Sequence, residues 1–112
     1  MQITHRTYRH AAVLDITGQF DFGSRKEFTA AMEKVTQSGV AQVILNFKGV
    51  IMVDSAAIGL LALAAQQFKS SNRTLSMVGA QGTVKQVLSL THIEQMIPNF
   101  ATEDAALGSK AA

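Results

Sequence analysis

The chain of 112 residues carries ten Lys and Arg against eight Asp and Glu, a formal charge of +2, and 47% of it is hydrophobic. That is enough apolar material for one domain with a core and too little length for two, and the dispersed charges imply no nucleic-acid surface. With no cysteine in the chain, disulfides, thiolate zinc sites and cysteine nucleophiles are excluded.

The opening residues, Met1 to Arg6, lack the apolar run of a secretory signal. The longest apolar stretch, Ala56 to Ala65, falls short of the roughly 20 residues that a membrane helix needs. A cytoplasmic protein without membrane insertion is expected. Gln2 to Tyr8 reads as a weakly alternating edge strand. Ala11 to Thr17 reads as a second, half-buried strand, with Ala12, Leu14 and Ile16 on one face and Val13, Asp15 and Thr17 on the other. Gly18 is expected to end it, and Gln19 to Gly23 to form a loop carrying one carboxylate, Asp21.

Ser24 and Glu27 have the spacing of a capping box, so a helix is expected to start at Ser24, with Phe28, Ala31, Met32 and Val35 as its buried stripe and Ser38-Gly39 at its end. Gln42 to Phe47 reads as a central strand buried on both faces, with Lys48-Gly49 as a turn after it. Val50 to Val53 is again apolar and strand-like, and Asp54-Ser55 then opens a helix carrying Ile58, Leu60, Leu61, Leu63, Ala64, Ala65 and Phe68. So wide an apolar face belongs to a helix that is deeply packed or partly reserved for a partner.

After the polar connector Ser70 to Arg73, Thr74 to Val78 reads as a strand and Gly79 to Gly82 as a loop. Thr83 and Gln86 have the spacing of a second capping box, ahead of a shorter helix with Val84, Val87, Leu88 and Thr91. Met96 to Phe100 is expected as a terminal edge strand holding the single proline, followed by a short helix over 102–107 and a fraying tail, Gly108 to Ala112. Together these elements predict an α/β domain spanning 1–112, with helices packed on a mixed sheet of four to five strands and antiparallel edges supplied by the N-terminal strands.

Little here points to catalysis. His5, His10 and His92 have no metal-ligand spacing, and Gly79 and Gly82 lack a nucleotide-binding frame. Asp15, Glu103 and Asp104 are expected to face solvent, and Met32, Met52, Met77 and Met96 to fill core. No enzyme activity, metal or cofactor is expected. The stretch that invites a function is Asp54-Ser55, where a hydroxyl meets a helix mouth. Unpaired N–H groups and the positive dipole end would there partly compensate a phosphate on Ser55. By local pattern alone, Asp54 or Ser55 is a helix cap.

The apolar strand followed by Asp54-Ser55-Ala56-Ala57-Ile58-Gly59 resembles the D-S-[ST]-G-[LI]-G signature of the STAS domain family (sulfate transporter and anti-sigma-factor antagonist). Gly18-Gln19-Phe20-Asp21 resembles that family's G-x-[LIF]-D loop, and Ile44-Leu45-Asn46-Phe47 its last buried strand before the signature. The resemblance covers nearly the whole chain and is of the anti-sigma factor antagonist type. It implies a protein phosphorylated at Ser55 by a partner that is both an anti-sigma factor and a serine kinase of histidine-kinase-like ATPase fold, and dephosphorylated by a PP2C-type phosphatase. The unphosphorylated form would bind the kinase and free its client. Asp21, Asp54, Ser55, Ala56, Ala57, Ile58 and Gly59 are the implied partner surface. Ala56 stands where the family has a second Ser or Thr, which leaves Ser55 as the sole hydroxyl, and Ala57 stands where the signature has glycine. The alternative is an unphosphorylated interaction subunit of a transporter or stress-sensing complex, with Ser55 as a cap.

Overall fold

A hairpin begins the chain in the computed structural model, which describes residues 1–108. Strands β1 (Gln2–Tyr8) and β2 (Ala11–Phe20) pair antiparallel, Tyr8 opposite Ala11 and Gln2 opposite Thr17. The turn between them uses Arg9 at φ 57. Next to β2 lie β3 (Gln42–Val53), β4 (Thr74–Val78) and β5 (Asn99–Phe100), all parallel to one another and to β2, in the order β1-β2-β3-β4-β5. Among the described residues the sheet is therefore mixed and five-stranded, with β1 as its antiparallel member. Parallel neighbours need crossovers. These are helices α1 (Arg25–Gln37) between β2 and β3, α2 (Ser55–Ser70) between β3 and β4, and α3 (Gly82–Leu90) with α4 (Ile93–Met96) between β4 and β5.

Alternation along the strands divides the buried residues into two sets. Leu14, Ile16, Leu45 and Met77 pack with Phe28, Met32 and Val35 of α1, Leu61 and Phe68 of α2, and Leu88 and Ile93 beyond. The Phe20 ring sits 4.9 Å from that of Phe28 and 6.2 Å from that of Phe47. Ala11, Val13, Ile44 and Val78 face the other way, beneath Ala106 and Leu107 of a last helix, α5 (Glu103–Gly108).

Polar contacts join the apolar ones in holding α5 down. Arg6 on β1 pairs with Asp15 on β2, Nε to Oδ2 at 2.6 Å, and with both oxygens of Glu103. Asn46 Nδ2 donates to Glu103 Oε2 at 3.0 Å, and Gln42 Nε2 to the Ala106 carbonyl at 3.0 Å. The two donors hold the Glu103 carboxyl below its usual range, the Arg6 contact contributing most. Asp15 and Glu103, expected to face solvent, are thus parts of a network that docks α5 to the sheet. Asp104 accepts from the Tyr8 hydroxyl at 2.7 Å.

Several boundaries differ from the sequence expectation, each for a physical reason. Gly18 does not end β2, because Gly18, Gln19 and Phe20 stay paired to Val50, Met52 and Val53. Lys48-Gly49 is not a turn. β3 runs on through it by carrying one extra residue opposite the step from Asp15 to Thr17 and another opposite the step from Gly18 to Gln19. The Lys48 N–H at the first of these bulges is taken by Asn46 Oδ1 at 3.0 Å. Gly49 is required there, since a Cβ would lie 2.6 Å from Thr17 Cγ2. The Ser24–Glu27 box does not form, because a 3-10 turn over Phe22–Ser24 already starts the helical path at Asp21. Likewise α3 starts at Gly82, whose φ of 61 makes the bend before Thr83, and Gln81 takes the cap position. Met96 lies in α4, so only Asn99–Phe100 of the expected last strand pairs. Met32 and Met77 are core, whereas Met96 is exposed. Gly108 ends α5, and the rest of the expected tail, 109–112, lies outside the described residues.

Candidate functional site

Phe20 and Val53 are paired neighbours at the ends of β2 and β3. Each is followed by an aspartate in extended conformation that starts a helical turn: Asp21 before the 3-10 turn, at φ −135 and ψ −173, and Asp54 before α2, at φ −110 and ψ −176. Two caps therefore meet at the carboxyl ends of parallel strands, the edge at which open α/β sheets place their sites.

Asp54, and not Ser55, is the N-cap of α2. Its Oδ1 accepts the Ala57 N–H at 2.9 Å, while its Oδ2 accepts the Phe22 N–H at 3.1 Å. Its own N–H donates to the Phe20 carbonyl at 3.2 Å. One carboxylate thus caps the helix and ties the β2–α1 connection to it. Asp21 serves its own loop: the Ser24 hydroxyl lies 3.0 Å from both Asp21 Oδ1 and the Gln19 carbonyl and has one proton for the two.

Ser55 is the first residue of α2 and is exposed. With Asp54 Oδ1 on Ala57 and the Asp54 carbonyl on Ile58 at 3.1 Å, the N–H groups of Ser55 and Ala56 have no acceptor among the described residues. These two donors, at the positive end of a helix of 16 residues, make the mouth receptive to negative charge on the Ser55 side chain. Ala56 and Ile58 are half-buried and Gly59 is exposed. A Cβ on Gly59 would meet nothing within 4 Å. Ala57 departs from expectation, because at 0% exposure it belongs to the core stripe with Leu61, Ala64 and Phe68 and offers no methyl to a partner.

Two neighbours of the mouth carry no sequence signal. Phe22 is 60% exposed, and the Arg25 guanidinium lies 3.9 Å over its ring while Nη1 donates to the Phe22 carbonyl at 3.0 Å. They place an exposed apolar ring and a cation on the turn that Asp54 holds through the Phe22 N–H. Among the described residues, no group of three or more His, Cys, Asp or Glu is arranged to hold a metal ion, and no helix is long and apolar enough to cross a membrane.

The STAS domain profile matches residues 2–106. This chain belongs to the STAS domain family. A STAS-domain containing protein of Pseudomonas aeruginosa (strain UCBPP-PA14) is 26% identical over 83 residues, which are 74% of this chain and 81% of that protein. An anti-sigma factor antagonist from Mycobacterium paratuberculosis has a similar structure, with a TM-score of 0.85 at 18% identity over 95% of this chain and 90% of that one. The anti-sigma factor antagonist SpoIIAA in its unphosphorylated form follows, with a TM-score of 0.71 at 18% identity over 95% of this chain and 94% of that one. SpoIIAA in its phosphorylated form, from Bacillus, has the same TM-score of 0.71. At such identity the shared property is the fold.

Proposed function

We propose that this STAS domain is an anti-sigma factor antagonist switched at Ser55. With the hydroxyl free, the α2 mouth binds an anti-sigma factor that is also a serine kinase of histidine-kinase-like ATPase fold. The contact surface comprises Asp21, Asp54, Ser55, Ala56, Ile58 and Gly59, with Ala57 supporting it from below. Phosphorylation of Ser55 releases the kinase, and a PP2C-type phosphatase restores binding. The protein acts in the cytoplasm by binding, without catalysis of its own.

The observation that carries this reading is the exposed Ser55 hydroxyl on the first residue of α2, beside two N–H groups that no described protein group occupies. A phosphate adds about −1.5 to −2 charges at pH 7, and the helix end tolerates them within the domain. A partner surface closed over that hydroxyl would instead desolvate a dianion next to Asp54, at a cost on the order of several kcal/mol. Gly59 supports the same reading. Glycine inside a helix costs about 1 kcal/mol relative to alanine, and no close packing within the domain calls for it.

The test is incubation with ATP and the partner kinase, with mass spectrometric mapping of phosphate. A single phosphate on Ser55, lost in Ser55→Ala, is expected. Partner capture should be retained by Ser55→Ala and weakened in Ser55→Asp, both variants remaining folded by circular dichroism. Absence of phosphate on Ser55 with a kinase that binds the domain, or equal capture by both variants, overturns the switch and leaves Ser55 as an ordinary helix residue in a constitutive interaction surface.

A further inference from the structure

The end of α2 remote from Ser55 borders an unfinished sheet edge. β4 has five residues, but β5 has two and pairs only with Met77 and Val78. The Met77 N–H points outward, donating to the Pro98 carbonyl at 2.8 Å. Polar backbone groups two residues apart on a strand point the same way, so the Leu75 N–H and C=O also face away from β3. The next ladder bond would bring an N–H from residue 98 to the Leu75 carbonyl, and proline has none. The Ile97 N–H is already given to the Ile93 carbonyl at 2.8 Å. The ladder therefore stops, and the outward N–H and C=O of Leu75, a residue 6% exposed, have no strand partner among the described residues. The adjacent Ser76 hydroxyl, on a residue 1% exposed, also has no hydrogen-bond partner among the described residues.

A cavity of about 850 Å³ runs along this edge, lined among others by Phe68, Lys69, Arg73, Leu75, Met96 and Pro98. Met96 is 42% exposed and offers an apolar shelf. The lining includes two cations and no carboxylate. Among the described residues neither Lys69 nor Arg73 is ion-paired. Arg73 Nη1 donates to the Thr36 carbonyl of α1 at 3.0 Å, which holds its guanidinium on the α1 side and leaves Lys69 as the cation facing the edge.

We propose that the open edge of β4 docks an extended acidic peptide segment of a partner protein. The segment adds as a strand, exchanging hydrogen bonds with the N–H and C=O of Leu75, and sets a carboxylate against Lys69. Basic side chains beside a free edge guard it against pairing with a copy of itself, because two such edges would bring cations face to face. The same charges select an occupant of opposite sign. Lys69 lies fourteen residues along α2 from Ser55, about 21 Å at the helical rise. The two surfaces can therefore be occupied together, and this one does not depend on the phosphorylation state.

The experiment is a titration of the ¹⁵N-labelled protein with capped Glu-Val-Glu-Val-Glu, its Lys-Val-Lys-Val-Lys counterpart, and a version of the acidic peptide N-methylated at every residue, which blocks both of its edges. The expected result is a shift and slowed hydrogen exchange at the Leu75 amide with the acidic peptide alone. Binding should weaken by about fivefold or more in Lys69→Glu, whose amide spectrum reports its own folding. No response at Leu75, an equal response to the basic peptide, or undiminished binding of the N-methylated peptide overturns the proposal. So does a Leu75 shift that follows protein concentration without peptide, which would assign the edge to a second copy of the chain.

Discussion

Removing the Asp54 side chain tests whether the site is built as a two-point clamp. In Asp54→Ala, α2 loses the acceptor for the Ala57 N–H at 2.9 Å and the β2–α1 connection loses the acceptor for the Phe22 N–H at 3.1 Å. Loss of an N-cap costs about 1 kcal/mol, and the second bond, on the exposed side, adds about 0.5–1 kcal/mol. The sum is about 2 kcal/mol, or about 8 °C in Tm for a domain of this size. Asp54→Asn separates the two halves. Its one carbonyl oxygen can still cap the helix, but its amide turns a donor toward the Phe22 N–H, so a loss of about 1 kcal/mol is expected. Urea titration measures both losses, and amide exchange at Phe22 should speed up in both variants. A loss under about 0.5 kcal/mol in Asp54→Ala would refute the clamp, as would equal losses in the two variants.

Two further outcomes follow from the packing. Glu103 has a folded-state pKa lowered from its ordinary 4.5, with the Arg6 contact as the main cause. Its contribution is therefore complete above pH 4.5 and disappears as pH falls through that value and then through the lower, folded one. Glu103→Gln should cost about 1 kcal/mol at pH 7, and urea midpoints should show a shallower acid limb than in the wild type. A parallel acid limb would mean that the Arg6–Glu103 pair does not govern it. Gly59→Ala should stabilise the domain by up to about 1 kcal/mol, because helix propensity improves where a Cβ meets open space. If the proposed switch holds, the same variant should weaken capture of the kinase, and unchanged capture would remove Gly59 from the proposed contact surface.

The order of elements was legible because periodicity and turn residues are local properties. What was not legible depended on pairing across the sheet. The extra residues in β3 exist only relative to β2, so Lys48-Gly49 reads as a turn until Thr17 is placed opposite Gly49. Capping boxes were misplaced because a box is a competition between neighbouring starts, and Asp21 and Gln81 win it upstream of Ser24 and Thr83. Glu103 reaches a partner 97 residues away, a relation no window contains. Ala57 is different: its spacing from Leu61, Ala64 and Phe68 already places it on the buried stripe. At the site, Asp54-Ser55 could be found from the signature, but Phe22 and Arg25 could not, since their place beside it comes from a contact 32 residues apart in the chain.

The clamp also bears on how a charge at Ser55 would be felt. Asp54 uses the N–H groups of Ala57 and Phe22 and leaves those of Ser55 and Ala56 without an acceptor among the described residues. A phosphate on Ser55 could therefore be solvated by the helix mouth without displacing the cap, and the domain would keep its fold in both states. The Asp54 carboxylate is fixed beside that phosphate by its own hydrogen bonds, so the added charge cannot be relieved by moving Asp54 without breaking α2 from the β2–α1 connection. The repulsion is then met by whatever partner covers the mouth. A carboxylate substituted at Ser55 carries about half of that charge on a shorter arm, so Ser55→Asp should weaken partner capture less than enzymatic phosphorylation does. Equal weakening by the two would indicate that bulk at the mouth, and not charge, controls access.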